Sequence, residues 1–211
     1  MNDFKESETK RFKTTELSQD NWSKVRKDLS FIDFVTTRAR EEGFRVVISG
    51  GYSTDGNIGQ ITRPHNDIDI QVYGSDSTPQ IIQKLTDEVK EKGEFSELKL
   101  KDKGRQEYYH TLFIEGNGLG ADIYYVRVTG NPFAMTKVVV KNDGSTTEEH
   151  AFNTNNVSLE GVCFEATTPE EQLNDIQEKR KRGYKVKPRH DQDIVNLELL
   201  RKVGVIPRSV K

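Results

Sequence analysis

Hydrophobic residues near the start of the chain recur at intervals of three and four positions. They are Trp22, Val25, Leu29, Ile32, Val35 and Ala39. This spacing places them on one face of an amphipathic helix, with polar residues on the other face. Asp20 or Asn21 is expected to cap the helix, and Gly43 is expected to end it.

The next segments carry the patterns of strands. The β-branched run over 45–49 predicts a buried strand that ends at Gly50-Gly51, and a short helix is predicted over 52–60. Polar and apolar residues alternate over 67–73, which predicts a strand with one buried face. Further strands are predicted over 94–100, 107–115, 119–128, 137–141, 149–152 and 157–164.

Three more helices complete the pattern. They are predicted over 77–92, 167–181 and 189–203. The order of elements predicts an α+β fold, in which a mixed, mostly antiparallel sheet has flanking helices and a small C-terminal helical part. We expect a polar N-terminal arm over 1–20, a core over 21–165 and a C-terminal helical segment over 166–211.

Composition limits the partners of this chain. The net charge is -2, so nothing draws the whole protein towards nucleic acid or membrane, and any polyanion site must be local. Cys163 is the single cysteine, which excludes an intrachain disulfide and a cysteine-based zinc site, and we expect it to be buried. Without an apolar run of membrane-spanning length or a signal peptide, the sequence predicts a cytoplasmic protein with no membrane partner.

Asp67 and Asp69 form the first candidate site. Side chains in a strand alternate between faces, so these two carboxylates project to the same side. An isolated Asp-x-Asp on a strand is most often part of a solvated face. In a cleft, however, such a pair requires a proton or a cation, and two Mg²⁺ ions about 3.5–4 Å apart would satisfy it and drive phosphoryl or nucleotidyl transfer.

A third carboxylate completes such a site, and Asp122 is the best candidate. It lies in the strand that follows the Gly116-Asn117-Gly118 turn, so a neighbouring strand could bring it beside the first pair. In that position Asp122 would bind metal and could accept the proton of an attacking hydroxyl.

The Ser49-Gly50-Gly51 turn lies between a predicted strand and a predicted helix. Glycines allow backbone N–H groups to approach a phosphate closely, and a helix N-terminus favours an anion. Gly-Gly is also common in ordinary turns. The turn is neither a Walker A loop nor a dinucleotide fingerprint, because the required lysine and glycine spacings are absent.

Together these residues resemble a family signature. The stretch over 50–70 resembles that of small bacterial lincosamide and aminoglycoside nucleotidyltransferases, in the DNA polymerase β-like superfamily. The positions that match in type and spacing are Gly50, Gly51, Tyr52, Asp55, Gly59, Thr62, Arg63, His65, Asp67 and Asp69. A second segment, 187–194, is similar to the family's Arg/Lys-x-Lys-Asp-x-x-Asp run. There His190 stands where relatives carry lysine, and Asp193 comes one residue early.

The resemblance implies a nucleotidyltransferase fold and a metal-dependent reaction. An NTP, expected to be ATP, would be held by two Mg²⁺ ions on Asp67, Asp69 and Asp122 and by the glycine turn. A hydroxyl of a small antibiotic-like acceptor would attack the α-phosphorus and receive AMP, and pyrophosphate would leave.

Four further residues are candidate nucleotide ligands. Arg63 suits phosphate geometry, but a surface arginine is as good an interpretation. His65 is either a phosphate or carboxylate contact or a structural turn residue. Lys187 and Arg189 belong to the basic run over 179–189, which either binds the triphosphate, holds RNA, or is a solvated helix end.

Two other functions remain open from the sequence. A toxin-type nucleotidyltransferase would modify tRNA or a protein. A degenerate homologue would bind nucleotide without turnover, although the three retained carboxylates argue against it, because charges that repel each other have no use in a pseudoenzyme.

Overall fold

A computed structural model describes residues 12–75, 78–91, 93, 95–105, 110–132, 136–141, 143–150, 153–181, 183 and 188–203. Within these ranges the chain forms five helices and nine strands. The helices are α1 (Gln19–Glu41), α2 (Gly50–Ile58), α3 (Thr78–Glu91), α4 (Pro169–Lys181) and α5 (Pro188–Val203). The strands are β1 (Arg45–Ser49), β2 (Ile68–Gly74), β3 (Lys99–Arg105), β4 (His110–Gly116), β5 (Leu119–Thr129), β6 (Thr136–Val140), β7 (Thr146–His150), β8 (Thr154–Leu159) and β9 (Val162–Thr167).

The strands form one mixed sheet in the order β3-β4-β5-β2-β1-β9-β8. The pairs β2–β5 and β1–β9 are parallel, and the other neighbours along this path are antiparallel. The β6–β7 hairpin continues from β5. The predicted α+β architecture, with a mixed and mostly antiparallel sheet, is therefore confirmed.

The main core lies between one face of this sheet and the helices. In β2, Ile68 and Ile70 are fully buried and pack in a cluster with Ile32 of α1 and Leu85 of α3. Because side chains alternate along a strand, the residues between these isoleucines face the other side of the sheet. The β2 sequence therefore supplies an apolar face for the core and a polar face for chemistry.

The cap and length of some elements differ from the prediction. Ser18, rather than Asp20 or Asn21, caps α1: its hydroxyl accepts from the Asn21 backbone N–H, and the Asn21 side chain accepts from the Ser18 N–H. The strand expected from residue 94 begins only at Lys99, after a turn over 95–97. Ser77, the first residue of the helix predicted over 77–92, lies outside the described residues.

The strand predicted over 157–164 was wrong, because this segment is a hairpin. β8 and β9 are joined by Glu160 and Gly161, which both have positive φ angles, and a two-residue turn of that kind reverses the chain. Cys163 is exposed rather than buried. It alternates with Phe164, which is buried, so the cysteine must face outward.

The N-terminal arm and the C-terminal helices lie against the core in the described part. The amide of Asn196 donates to the Lys13 carbonyl and accepts from the Lys13 N–H. The Thr15 N–H donates to the Thr62 carbonyl. The divisions at residues 20 and 165 stay predictions, and β9 runs across the second of them.

Candidate active site

Asp69 and Asp122 are direct neighbours in the sheet. β2 and β5 run parallel, and Asp69 is the register partner of Asp122. On its other side Asp69 is paired with Ser49, the last residue of β1. Three of the predicted site residues therefore stand in one row across adjacent strands, on the side of the sheet opposite Ile68 and Ile70.

Asp67 lies one residue before β2 and is half-buried. Among the described residues, no group of three or more His, Cys, Asp or Glu side chains is close enough to hold a metal ion. The metal role of Asp67, Asp69 and Asp122 as a set therefore stays a prediction. What the fold provides is the adjacency of two of the three carboxylates.

The glycine turn is pressed against Asp69. Gly50 begins α2 with a φ of 62°, and a Cβ added there would overlap the Oδ2 atom of Asp69. Glycine is required on both counts, because a side chain is strained at that φ and has no room. Ser49 precedes the helix as its N-cap residue, and its hydroxyl lies 3.4 Å from the Asp69 carbonyl. The N-terminus of α2 therefore lies directly against Asp69, the middle residue of the row.

Gly51 packs against the buried side chains of His65 and Arg63. A Cβ at Gly51 would overlap the ring of His65 and lie 2.9 Å from an Nη atom of Arg63. His65 is buried, its Nε2 lies 2.6 Å from the Asp55 Oδ2, and its ring lies 4.3 Å from that of Tyr52. His65 and Arg63 therefore form the floor under the second glycine.

Asp55 has a structural role at the loop that follows α2. It is fully buried, and it accepts a hydrogen bond of 2.6 Å from the Thr62 hydroxyl besides its contact with His65. This carboxylate in α2 thereby fixes the loop over 59–67, which leads to Asp67.

Arg63 forms a bidentate pair with Asp193 of α5. The Nε–Oδ1 and Nη2–Oδ2 distances are 2.9 and 2.7 Å, and both residues are buried. Burial lowers the pKa of Arg63, but the hydrogen bonds and charge of Asp193 outweigh it, and the net pKa is raised. In this conformation the guanidinium supports the glycine turn, and direct phosphate contact by Arg63 stays a prediction.

Asp28 is a buried carboxylate that the sequence did not single out. It is fully buried in α1, and its Oδ2 accepts from Lys24 at 2.7 Å and from the Tyr52 hydroxyl at 2.6 Å. Among the described residues, its Oδ1 has no hydrogen-bond partner. Burial raises the pKa of Asp28, although hydrogen bonds from Lys24 and Tyr52 oppose the shift. Tyr52, which donates to Asp28, also packs its ring against that of His65, so Asp28 is linked to His65 through Tyr52.

Lys103 is the second residue that the sequence analysis missed. Its ammonium lies 2.7 Å from the Asp122 Oδ1 and 3.7 Å from the centroid of the Phe113 ring. The β3–β4 register shifts between Asp102 and Gly104, which makes Lys103 the extra residue of a β-bulge. The alternating lysines at 99, 101 and 103 were a visible signal, but their partner strand was not.

The basic run has little part in the described site. Lys187 lies outside the described residues, and so does the side chain of Arg189 at the start of α5. The exposed Lys179, Arg180 and Lys181 form ion pairs with Asp175, Asp191 and Glu178. The described part of the run is thus a solvated helix end. No helix in the described ranges is both long enough and apolar enough to cross a membrane.

Comparisons with known proteins identify the family and similar folds. The model of the aminoglycoside-2''-adenylyltransferase family matches residues 32–197. The fold is similar to that of the lincosamide antibiotic adenylyltransferase LnuA bound to lincomycin, with a TM-score of 0.55 and 16% identity over 87% of this chain and 98% of that chain. It is also similar to ANT(2'')-Ia in complex with adenylyl-2''-tobramycin, with a TM-score of 0.55 and 14% identity over 84% of this chain and 96% of that one.

A solution structure of ANT(2'')-Ia is similar too, with a TM-score of 0.53 and 14% identity over 85% of this chain and 91% of that chain. At these identities the structures show the fold alone, and the family rests on the match to residues 32–197. No curated protein sequence matches the chain. The predicted nucleotidyltransferase fold is confirmed.

Proposed function

The chain belongs to the aminoglycoside-2''-adenylyltransferase family and is a nucleotidyltransferase, and on that premise we propose that it transfers AMP from ATP to a hydroxyl of a small antibiotic-like acceptor. The observation that carries the proposal is the row of Ser49, Asp69 and Asp122 beside the glycine turn. A phosphate seated on the turn would lie next to both carboxylates.

Divalent metal fits the residues of this row. The carboxylates of Asp69 and Asp122 are hard oxygen ligands of the kind that Mg²⁺ prefers, and Asp67 adds a third nearby in sequence. Asp122 already holds a cation, the ammonium of Lys103. Bound Mg²⁺ would neutralise the charge on the triphosphate and polarise the α-phosphorus. Two ions, held by these three aspartates, are the arrangement we propose.

The protein's own part in the reaction is positioning. The N–H groups at the start of α2 would hold phosphate oxygens, because a helix N-terminus favours anions. Gly50 and Gly51 permit close approach, and the buried Arg63, paired with Asp193, supports the second glycine from below. The floor of Arg63 and His65 would keep the turn in place during transfer.

Asp122 is proposed to accept the proton of the acceptor hydroxyl. The acceptor oxygen then forms a bond to the α-phosphorus. At the same time the bond between the α-phosphorus and the oxygen that bridges it to the β-phosphate breaks. Pyrophosphate leaves with that electron pair, and the proton passes from the carboxylate to solvent.

The test is a transfer assay with purified protein, Mg²⁺ and α-labelled NTPs. The acceptors are lincosamides, aminoglycosides and bulk tRNA, offered separately. We expect label from ATP on a small-molecule acceptor, with release of pyrophosphate. Label on RNA or on protein instead would overturn the small-molecule acceptor. Nucleotide binding without transfer to any acceptor would overturn the proposed activity.

A further inference from the structure

Lys103 forms an ion pair with Asp122, the carboxylate that the proposed reaction needs. It approaches Asp122 from two strands away, crossing over Phe113, which is the register partner of Asp122 on β4. The Lys103 side chain is 44% exposed and that of Asp122 is 20% exposed, so the ion pair lies at the open side of the sheet, where ligands have access.

The position of Lys103 depends on a specific backbone feature. The bulge between Asp102 and Gly104 inserts this lysine as an unpaired residue, and bulges of this kind re-aim side chains at functional sites. The aromatic ring beneath it adds a cation–π contact that favours the observed direction of the side chain. Two independent contacts therefore hold the ammonium on Asp122.

We propose that Lys103 is a positioning residue that holds the Asp122 carboxylate by charge and competes with a divalent metal ion for it. The inference rests on the proposed function, since it assumes that Asp122 binds metal there. An ammonium at 2.7 Å and a doubly charged ion on the same carboxylate repel each other. The lysine must therefore withdraw when metal arrives with nucleotide, and it returns after release.

The consequence is that the lysine weakens metal binding in the absence of nucleotide. A carboxylate left alone beside Asp69 would attract metal from solution, or it would repel its neighbour. With Lys103 in place the carboxylate row is partly neutralised, and metal binding becomes coupled to the arrival of the triphosphate.

The experiment measures Mn²⁺ binding by electron paramagnetic resonance, with and without a non-hydrolysable ATP analogue, in the full chain. Lys103→Gln should bind Mn²⁺ about fivefold more tightly than wild type, which is the size expected for removing one charge about 5 Å from the ion in a largely aqueous, salt-screened setting. Lys103→Arg keeps the charge and should behave like wild type.

Lys101→Gln is the matched control. Lys101 is an exposed lysine of the same strand and pairs with Glu115 instead of Asp122. An equal increase in affinity in both glutamine variants, or no increase in Lys103→Gln, would overturn the role of Lys103. If Asp69→Asn and Asp122→Asn bind Mn²⁺ as wild type does, the proposed metal site itself fails, which separates the two outcomes.

Discussion

The Asp193 carboxylate in α5 accepts two hydrogen bonds from the guanidinium of Arg63, at 2.9 and 2.7 Å, and both residues are buried. This pair ties the C-terminal helix to the loop between α2 and β2. Because Arg63 also lies under Gly51, the pair connects a helix outside the sheet to the proposed phosphate turn.

Removing one partner of this pair should destabilise the protein strongly. Asp193→Asn leaves a buried guanidinium without its counter-charge, so we expect the free energy of unfolding to fall by about 3–5 kcal/mol in urea denaturation. Asp191→Asn is the control, because Asp191 is exposed and pairs with the exposed Arg180. It should change stability by less than about 0.5 kcal/mol. Similar losses in both variants would show that the buried pair contributes nothing special.

Asp69→Asn should reduce turnover by at least about 100-fold, because it removes a proposed metal ligand from the carboxylate row. The rate is measured by pyrophosphate release with the acceptor that the transfer assay identifies. Asp175→Asn, an exposed carboxylate in α4, serves as the control and should keep its rate. Near-normal turnover of Asp69→Asn with an unchanged melting temperature would rule out Asp69 as a metal ligand.

Gly50→Ala should abolish most activity through a steric effect. The new Cβ would overlap the Asp69 carboxylate and displace it. A displacement of about 1 Å in a catalytic group can cost on the order of 100-fold in rate. Gly59→Ala matches the backbone strain, since its φ is 83°, but its Cβ would have no atom of the described residues within 4 Å.

Both alanine variants should lose about 1–2 kcal/mol of stability for the left-handed backbone, and only Gly50→Ala should lose turnover at saturating ATP. Chemical denaturation and steady-state rates separate these two effects. A Gly59→Ala protein as inactive as Gly50→Ala would mean that backbone strain, rather than contact with Asp69, is responsible.

The stability of the protein should depend on pH through Asp28. Burial raises the pKa of Asp28 above its ordinary value of 3.8 while Lys24, Tyr52 and His65 lower it, and the net pKa is raised. The folded protein therefore binds this proton more tightly than the unfolded chain does. The stability that this contributes is full below the unfolded pKa and is lost as pH rises through the folded pKa.

Asp28→Asn removes this ionisation. The unfolding free energy of wild type should fall relative to that of the variant as pH rises from about 4 to about 7, as measured by urea denaturation at each pH. The asparagine can still accept hydrogen bonds from Lys24 and Tyr52, so the variant is expected to fold. A difference that stays constant across this range, or grows in the opposite direction, would refute the assignment.

Much of the fold could be predicted from local patterns. The helix containing Leu29, the strand containing Ile68 and Ile70, and the turn at Gly50 were each recognisable, because the period of hydrophobic residues follows directly from backbone geometry. Where a predicted strand was wrong, a tight turn interrupted the hydrophobic pattern. The segment over 157–164 has the composition of one strand, but the positive φ angles at Glu160 and Gly161 fold it into a hairpin.

Some residues of the candidate site could be predicted from the sequence, and others could not. Asp67, Asp69 and the glycine turn were found from spacing and resemblance, because they lie within twenty residues of each other. The neighbourhood of Asp69 and Asp122 follows from a parallel pairing of β2 with β5, which the whole sheet determines.

The faces on which most side chains lie could be predicted without the structure, because alternation and helical period depend only on the backbone. Which charged side chains pair with each other became clear only in the folded protein. Arg63 pairs with Asp193, which is 130 residues away in the sequence, and Lys103 pairs with Asp122, which is 19 residues away. Contacts of that kind depend on strand order and helix docking, which arise from packing of the entire core, so the local sequence does not identify the partner of each charge.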